Sequence, residues 1–448
     1  MDQKLPAVLL ECSLKWRWSS QQEVGQEGQA RLTDIALELQ PKYGAALAYS
    51  YRDLAEIKAE DYRVALVIED GESLELYHLG NKYSDFVRIL ISQRNELMLT
   101  DLLMHEPIRR AGINAACTRY NPCGEAVDLG KCELRLGDTA LLIIPEYHEP
   151  IRLPLSYVFA VKEENYAVNM VAEGGERLVL SKLGRELAPF TDLMQEIMSE
   201  LSVKAQTILR ELLPAVSANS IQQAAYIMRE GRAAKRAELE HIDAGLWGSL
   251  EEQLDKAGIR REYDFLSALA DTQQQCLGFK RELVAVSARE YIWFLIPIAK
   301  SNLIAMEASS GPGSGRATYF FRIVEKVAAG RRLEQLQEQI DQLLIVINRC
   351  MQAINFRREP VYLPEEKLLE PRYQKYRLAV RKIPGLLELR KRFVGRVFHR
   401  NPQQWEQDVL DLLRFNESRL GEWAKWSKSD LETAEAGGEV EEKNENGG

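Results

Sequence analysis

The 448-residue chain has the hydrophobic and charged content of an ordinary globular protein and enough length for about three domains. A formal net charge of -9 argues against a wholesale nucleic-acid coat, and no apolar run approaches the roughly 18 to 20 residues of a membrane span. The opening MDQKLPAVLLECSLKWRW lacks a long apolar core with a cleavage site, and six scattered cysteines read as reduced thiols, so a cytoplasmic protein is expected.

Residues 31–97 recur without a gap at 135–201, with identity at about one position in three. The matches include Arg31/Arg135, Leu37/Leu141, Tyr43/Tyr147, Lys58/Lys162, Glu60/Glu164, Tyr62/Tyr166, Gly80/Gly184 and Phe86/Phe190. Each copy has the same internal order. Short β-rich runs come first, at 36–39, 46–51, 62–68 and 73–79, then at 140–144, 151–161, 166–171 and 177–183. The turns Glu69-Asp70-Gly71-Glu72 and Glu173-Gly174-Gly175-Glu176 are hairpin signals, because Gly supplies the positive φ that a tight turn needs. A helix follows in each copy. Phe86, Ile89, Leu90 and Leu97 form its apolar stripe in the first, and Phe190, Leu193, Met194, Ile197 and Leu201 in the second.

Beyond the repeat, 217–279 takes a helical period. A β-rich insert follows at 291–296, 303–306 and 317–324, then a long helix over 331–356. The order strands, hairpin, helix echoes the second half of a repeat unit, so 284–360 is read as a candidate third copy. Residues 361–426 read as a basic helical region, and 427–448 as an acidic tail with too little apolar content to fold.

Antiparallel strands closed by one helix, carried by 28–34, the 51–57 segment, the Glu-Asp-Gly hairpin and the Leu79-Gly80 helix entry, resemble the pleckstrin-homology superfold and its GRAM-like relatives. The resemblance covers about 5–105 and 110–212. It implies an α+β fold: two tandem units, each an antiparallel sheet or barrel plus a C-terminal helix, at 1–105 and 106–213. A mainly α-helical region with a small β insert follows, made of a helical arm (214–283), the insert with its long helix (284–360) and the basic region. The resemblance also implies recognition of peptides, proteins or phosphorylated headgroups. The region around Arg31 and Lys42, or Arg135 and Arg152, is thinly basic, which favours protein over lipid.

Candidate chemistry is sparse. The five histidines, His78, His105, His148, His241 and His399, show no metal-ligand or nucleophile spacing and read as surface or core residues. Cys117, Cys123 and Cys132 are too widely spaced for a zinc set and read as free thiols. The loop 309–315 precedes a β-rich run and carries no lysine, so it reads as a hairpin connection rather than a phosphate loop. Tyr291 to Ile296 and Trp16 to Trp18 are candidates for an exposed interface, weighed against the commoner packing of aromatic clusters in a core. The basic segment 372–400 offers the one candidate site: Arg381, Lys382, Arg390, Lys391, Arg392, Arg396 and Arg400, interleaved with Tyr373, Tyr376, Phe393 and Phe398, would suit a polyanion or an acidic partner, unless they form a solvated face neutralised by the tail.

The resulting expectation is a non-enzymatic interaction scaffold with no cofactor and no metal, binding a protein partner, its helical half available for oligomerisation. Two alternatives stand beside it. Tandem units before an acidic tail resemble the middle portion of histone-chaperone subunits, which implies a nucleic-acid-associated factor using 372–400. An enzyme or ligand-binding protein would place its site near 291–324.

Overall fold

Alternating apolar and polar residues fold the first copy into seven strands: β1 (Val8–Trp18), β2 (Gln26–Thr33), β3 (Ala36–Pro41), β4 (Leu47–Ser50), β5 (Leu54–Glu60), β6 (Arg63–Ile68) and β7 (Ser73–Tyr77). The computed structural model describes residues 7–19, 25–68, 72–101, 107–172, 174–281, 290–311, 317–324, 333–353, 359–373, 376–377, 380 and 384–418. The antiparallel order is β4-β3-β2-β1-β7-β6-β5, so the first strand pairs with both the second and the last. Helix α1 (Tyr83–Asp101) then lays Phe86, Val87, Leu90 and Ile91 onto the sheet's inward side chains, among them Leu14, Trp16, Leu32, Leu66 and Leu76.

The second copy repeats this plan. Its strands are β8 (Ile108–Tyr120), β9 (Ala126–Gly137), β10 (Ala140–Pro145), β11 (Ile151–Pro154), β12 (Val158–Glu164), β13 (Ala167–Ala172) and β14 (Arg177–Ser181), in the order β11-β10-β9-β8-β14-β13-β12. Every bound of β3 to β7 reappears in β10 to β14 shifted by the repeat length. The β-bulge after Leu54 recurs after Val158. Gly80 (φ 59) and Gly184 (φ 57) take the same left-handed conformation at the entry to the helix, which an L side chain would strain. Helix α2 (Leu187–Leu212) places Phe190, Met194 and Ile197 on the second core. Two seven-stranded antiparallel sheets, each followed by a helix, therefore build the N-terminal half.

The chain divides into two compact units, residues 1–201 with 369–379, and residues 202–368 with 380–448. Within the first, α1 joins the copies. Arg94, 2% exposed, donates to the carbonyls of Leu54 (3.0 Å) and Ala55 (2.9 Å) and to Glu149 Oε1 (3.0 Å). Asn95 Nδ2 donates to the His148 carbonyl (2.8 Å), and Arg135 pairs with Glu96 (2.6 Å).

In the second unit, helices α3 (Ala218–Ile227), α4 (Arg236–Ile242), α5 (Leu246–Ala257) and α6 (Arg260–Ser267) pack on a third sheet. Its strands run in sequence order: β15 (Ala234–Lys235), β16 (Cys276–Arg281), β17 (Glu290–Ile298), β18 (Leu303–Ser309), β19 (Ala317–Arg322) and β20 (Phe393–Phe398). The first of these strands does not pair with the last, so the seven-stranded plan is not repeated here. Between β19 and β20 lie helices α7 (Leu333–Ala353), α8 (Glu359–Tyr362), α9 (Glu365–Leu368) and α10 (Pro384–Arg392), and α11 (Pro402–Ser418) follows β20. Ile292, Phe294 and Ile296 face the core shared with α3 to α6 and α11, while the alternate Trp293 and Leu295 are buried on the other face. Such double coverage accounts for the unbroken apolar run of β17. Gly278 is required by close approach: a Cβ there would sit 2.5 Å from Trp293 Nε1. Among the described residues no helix is long and apolar enough to cross a membrane.

Candidate functional site

The basic segment is largely absorbed by the fold. Arg390, 5% exposed, donates to Glu365 Oε1 (2.8 Å) and to the Leu363 carbonyl. Arg392 pairs with Glu388 (2.5 Å) and donates to the Ile323 carbonyl. The Arg396 guanidinium lies over the Tyr362 and Phe398 rings, at 4.2 and 4.6 Å. Lys391 and Arg400 are exposed. Arg381, Lys382 and the tail 427–448 lie outside the described residues. Within the segment read as helical, Phe393–Phe398 is a strand paired with β19, its apolar Phe393, Val394 and Val397 buried at the end of the sheet.

His399 follows that strand and is enclosed by groups from four elements. Its Nδ1 lies 3.3 Å from Glu262 Oε1 on α6, and its Nε2 lies 3.1 Å from Glu307 Oε1 on β18. Thr318 Oγ1 on β19 donates to Glu307 Oε2 (2.7 Å), and Trp405 Nε1 on α11 donates to Thr318 Oγ1 (3.0 Å). The His399 ring stacks on Trp405 with centroids 5.2 Å apart. Burial disfavours the charged imidazole, but the hydrogen bonds and charges of Glu262 and Glu307 outweigh it and push its pKa up to about 9. Glu307 is fully buried. One imidazolium thus serves two carboxylates in the interior, an arrangement that clamps the sheet to α6 and α11. Sequence alone named His399 without these partners, which come from positions far apart in the chain.

On the surface, both copies present the same feature. The β5–β6 hairpin turns at Asp61-Tyr62 (φ 49 and 58), and the β12–β13 hairpin at Asn165-Tyr166 (φ 54 and 58). Positive φ at two successive residues is the type I′ turn, whose second central position ordinarily takes Gly. Here it is tyrosine both times. Tyr62 is 76% exposed and Tyr166 87%. Lys58/Lys162 and Glu60/Glu164, also exposed and identical between copies, precede them. The Tyr62 ring tilts against Tyr83, 5.3 Å between centroids. Tyr147 is exposed, and its first-copy equivalent Tyr43 is 92% exposed. Sequence reasoning counted these tyrosines as evidence of the repeat and missed the turns, because it looked for Gly at the tip.

The other candidates are placed as follows. Cys117 and Cys132 are buried core thiols with pKa values pushed up by burial to about 12 and 11, while Cys123 is exposed. Among the described residues no group of three or more His, Cys, Asp or Glu side chains could hold a metal ion. Trp16, Trp293 and Phe294 are buried in their cores. Of the loop 309–315, residues 312–315 lie outside the described set.

No protein-family model matches the chain, and no curated protein matches it either. A solved structure described as the Spt16D Pob3N heterodimer aligns at 10% identity over 37% of this chain and 84% of that one. Its TM-score is 0.16, a likeness too slight to carry an argument.

Proposed function

We propose that the chain is a non-enzymatic interaction scaffold whose two N-terminal units are pleckstrin-homology-like and bind a protein partner through their repeated surface. One observation carries this reading. After divergence to about one identity in three, the copies still share Lys58/Lys162, Glu60/Glu164 and Tyr62/Tyr166 at exposed hairpin positions. Identities such as Leu32/Leu136, Val64/Val168 and Phe86/Phe190 are explained by the cores they fill. Folding gives no such reason for an exposed tyrosine in a turn that prefers glycine, whereas exposed aromatic side chains suit binding surfaces. The test is affinity purification of the full chain from its native cells, compared with a variant carrying Tyr62→Gly and Tyr166→Gly. A protein recovered in stoichiometric amount with the parent and lost with the variant supports the scaffold. Recovery of the same proteins in the same amounts with both overturns it.

A further inference from the structure

We infer, building on the scaffold role just proposed, that the two hairpin tips are a matched pair of contacts for a cationic protein segment, Tyr62 and Tyr166 each offering a ring face to a Lys or Arg side chain while the neighbouring carboxylates supply counter-charge. A non-glycine residue at positive φ is strained, and the strain is greater for a bulky side chain than for Asn or Asp. Both copies nevertheless place the small Asx residue first and the tyrosine second. Packing does not account for this. Tyr62 touches Tyr83, but the second-copy equivalent of Tyr83 is Leu187, and Tyr166 stays more exposed than Tyr62. The ring itself is what the two tips hold in common.

The charge around the rings selects the partner. Glu60 and Asp61 flank the first tip, Glu163 and Glu164 the second, and none of these four makes an ion pair among the described residues. Lys58 is drawn to Glu56 (3.3 Å), and Arg63 to Glu75 (2.9 Å), so the nearest cations of the first tip are already engaged. A ring face beside unpaired carboxylates attracts a guanidinium or ammonium through the quadrupole and the charges together. With Lys162 set against Glu163 and Glu164 at the second tip, and the two cations of the first tip already paired, the balance beside each ring is negative and disfavours phosphate, whether on a nucleic acid or a lipid.

The test uses the full chain and fluorescein-labelled decapeptides of alternating Gly-Arg, with alternating Gly-Glu as control. Replacing tyrosine by glycine leaves net charge unchanged, so general electrostatic attraction is held constant. An exposed cation–π contact is worth about two- to fivefold in affinity, so the Tyr62→Gly, Tyr166→Gly double variant is expected to bind Gly-Arg about tenfold more weakly, with each single variant between. The melting temperature should stay level or rise, since glycine relieves the left-handed backbone; Tyr→Asn at both tips repeats the test with a residue that tolerates this conformation. Equal affinity of parent and both double variants for Gly-Arg overturns the inference, as does binding of Gly-Glu or of phosphatidylserine vesicles that is lost with the tyrosines. Should the tip variants lose a stoichiometric cellular protein while peptide affinity is unmoved, the scaffold role stands and the cationic partner falls.

Discussion

Glu307→Gln isolates the interior charge clamp, because the amide keeps a hydrogen-bonding oxygen for Thr318 while removing the negative charge that faces His399 Nε2. The folded-state pKa of His399 is raised from 6.5 to about 9, so the native protein holds the proton more tightly than the unfolded chain. That stabilisation is complete below pH 6.5, declines by about 1.4 kcal/mol per pH unit above it, and is gone once pH passes 9. The full shift corresponds to about 3 kcal/mol, of which Glu307, sharing the imidazolium with Glu262, supplies about half. Urea unfolding of the parent and Glu307→Gln at pH 6, 8 and 9.5 should therefore show a gap of about 1 to 2 kcal/mol at pH 6 that narrows steadily with rising pH. Titration of the His399 ring by NMR should show its pKa falling in the variant. A gap that stays constant or widens toward pH 9.5, or a parent His399 that titrates below 6.5, would refute the clamp.

Arg94→Met inserts at the first copy the residue that the second copy carries as Met198, leaving the carbonyls of Leu54 and Ala55 without their buried donor. It should cost about 2 to 4 kcal/mol by chemical denaturation, and an unchanged midpoint would count against the joint between the copies. Gly278→Ala forces a Cβ against Trp293 and the Gly231 carbonyl, breaking the Trp293 Nε1 to Gly231 bond of 3.0 Å. A loss of about 1 to 3 kcal/mol is expected in a thermal melt followed by tryptophan fluorescence. Alkylation of the folded protein at pH 8, read by intact mass and peptide mapping, should mark Cys123 first. Cys117 and Cys132 are shielded and held as thiols by burial, and early labelling of either would contradict the packing of the second sheet.

In the duplicated half, β3, β4, β6, β7 and the closing helix were legible in each copy because their signals are local. By contrast, β1, β2 and β5 were not placed, nor β8 and β9 in the second copy, and the run 151–161 is divided in the structure between β11 and β12. Period-two alternation, a Gly-bearing turn and a helical stripe each occupy a window of about ten residues, and a second copy displays the same pattern again. The third sheet was legible only in pieces. Its β17, β18 and β19 stand out as apolar runs, but β15 is a two-residue strand at Ala234–Lys235, and β20 joins β19 from far along the chain, with α7 to α10 between them. No local period announces a partner at such separation, so Phe393–Phe398, flanked by arginines, read as part of a basic helix. Its side chains decide otherwise: Phe393, Val394 and Val397 are buried against the sheet, and the charges at 390, 392 and 396 are met by Glu365, Glu388 and the rings of Tyr362 and Phe398. The clamp was hidden for the same reason, since Glu262, Glu307 and His399 meet only once α6, β18 and β20 are assembled.

What the two copies have kept and what they have lost argue in different directions, and the difference locates where selection has acted. Of the joint's members, Arg94, Asn95 and Glu149 have the equivalents Met198, Ser199 and Ala45, while Glu96 and Arg135 are matched by Glu200 and Arg31. The first three, used once per chain, have been tailored once, as an internal joint requires. The tips show the opposite history, with the same tyrosine held twice in a conformation that glycine would take at less cost. If the rings served only to stiffen each hairpin, relaxing the strain at either tip would have been the easier path, and one copy at least should have drifted as those three joint residues did. Retention at both points to a requirement applied to the two units alike, and a partner that engages both tips supplies one.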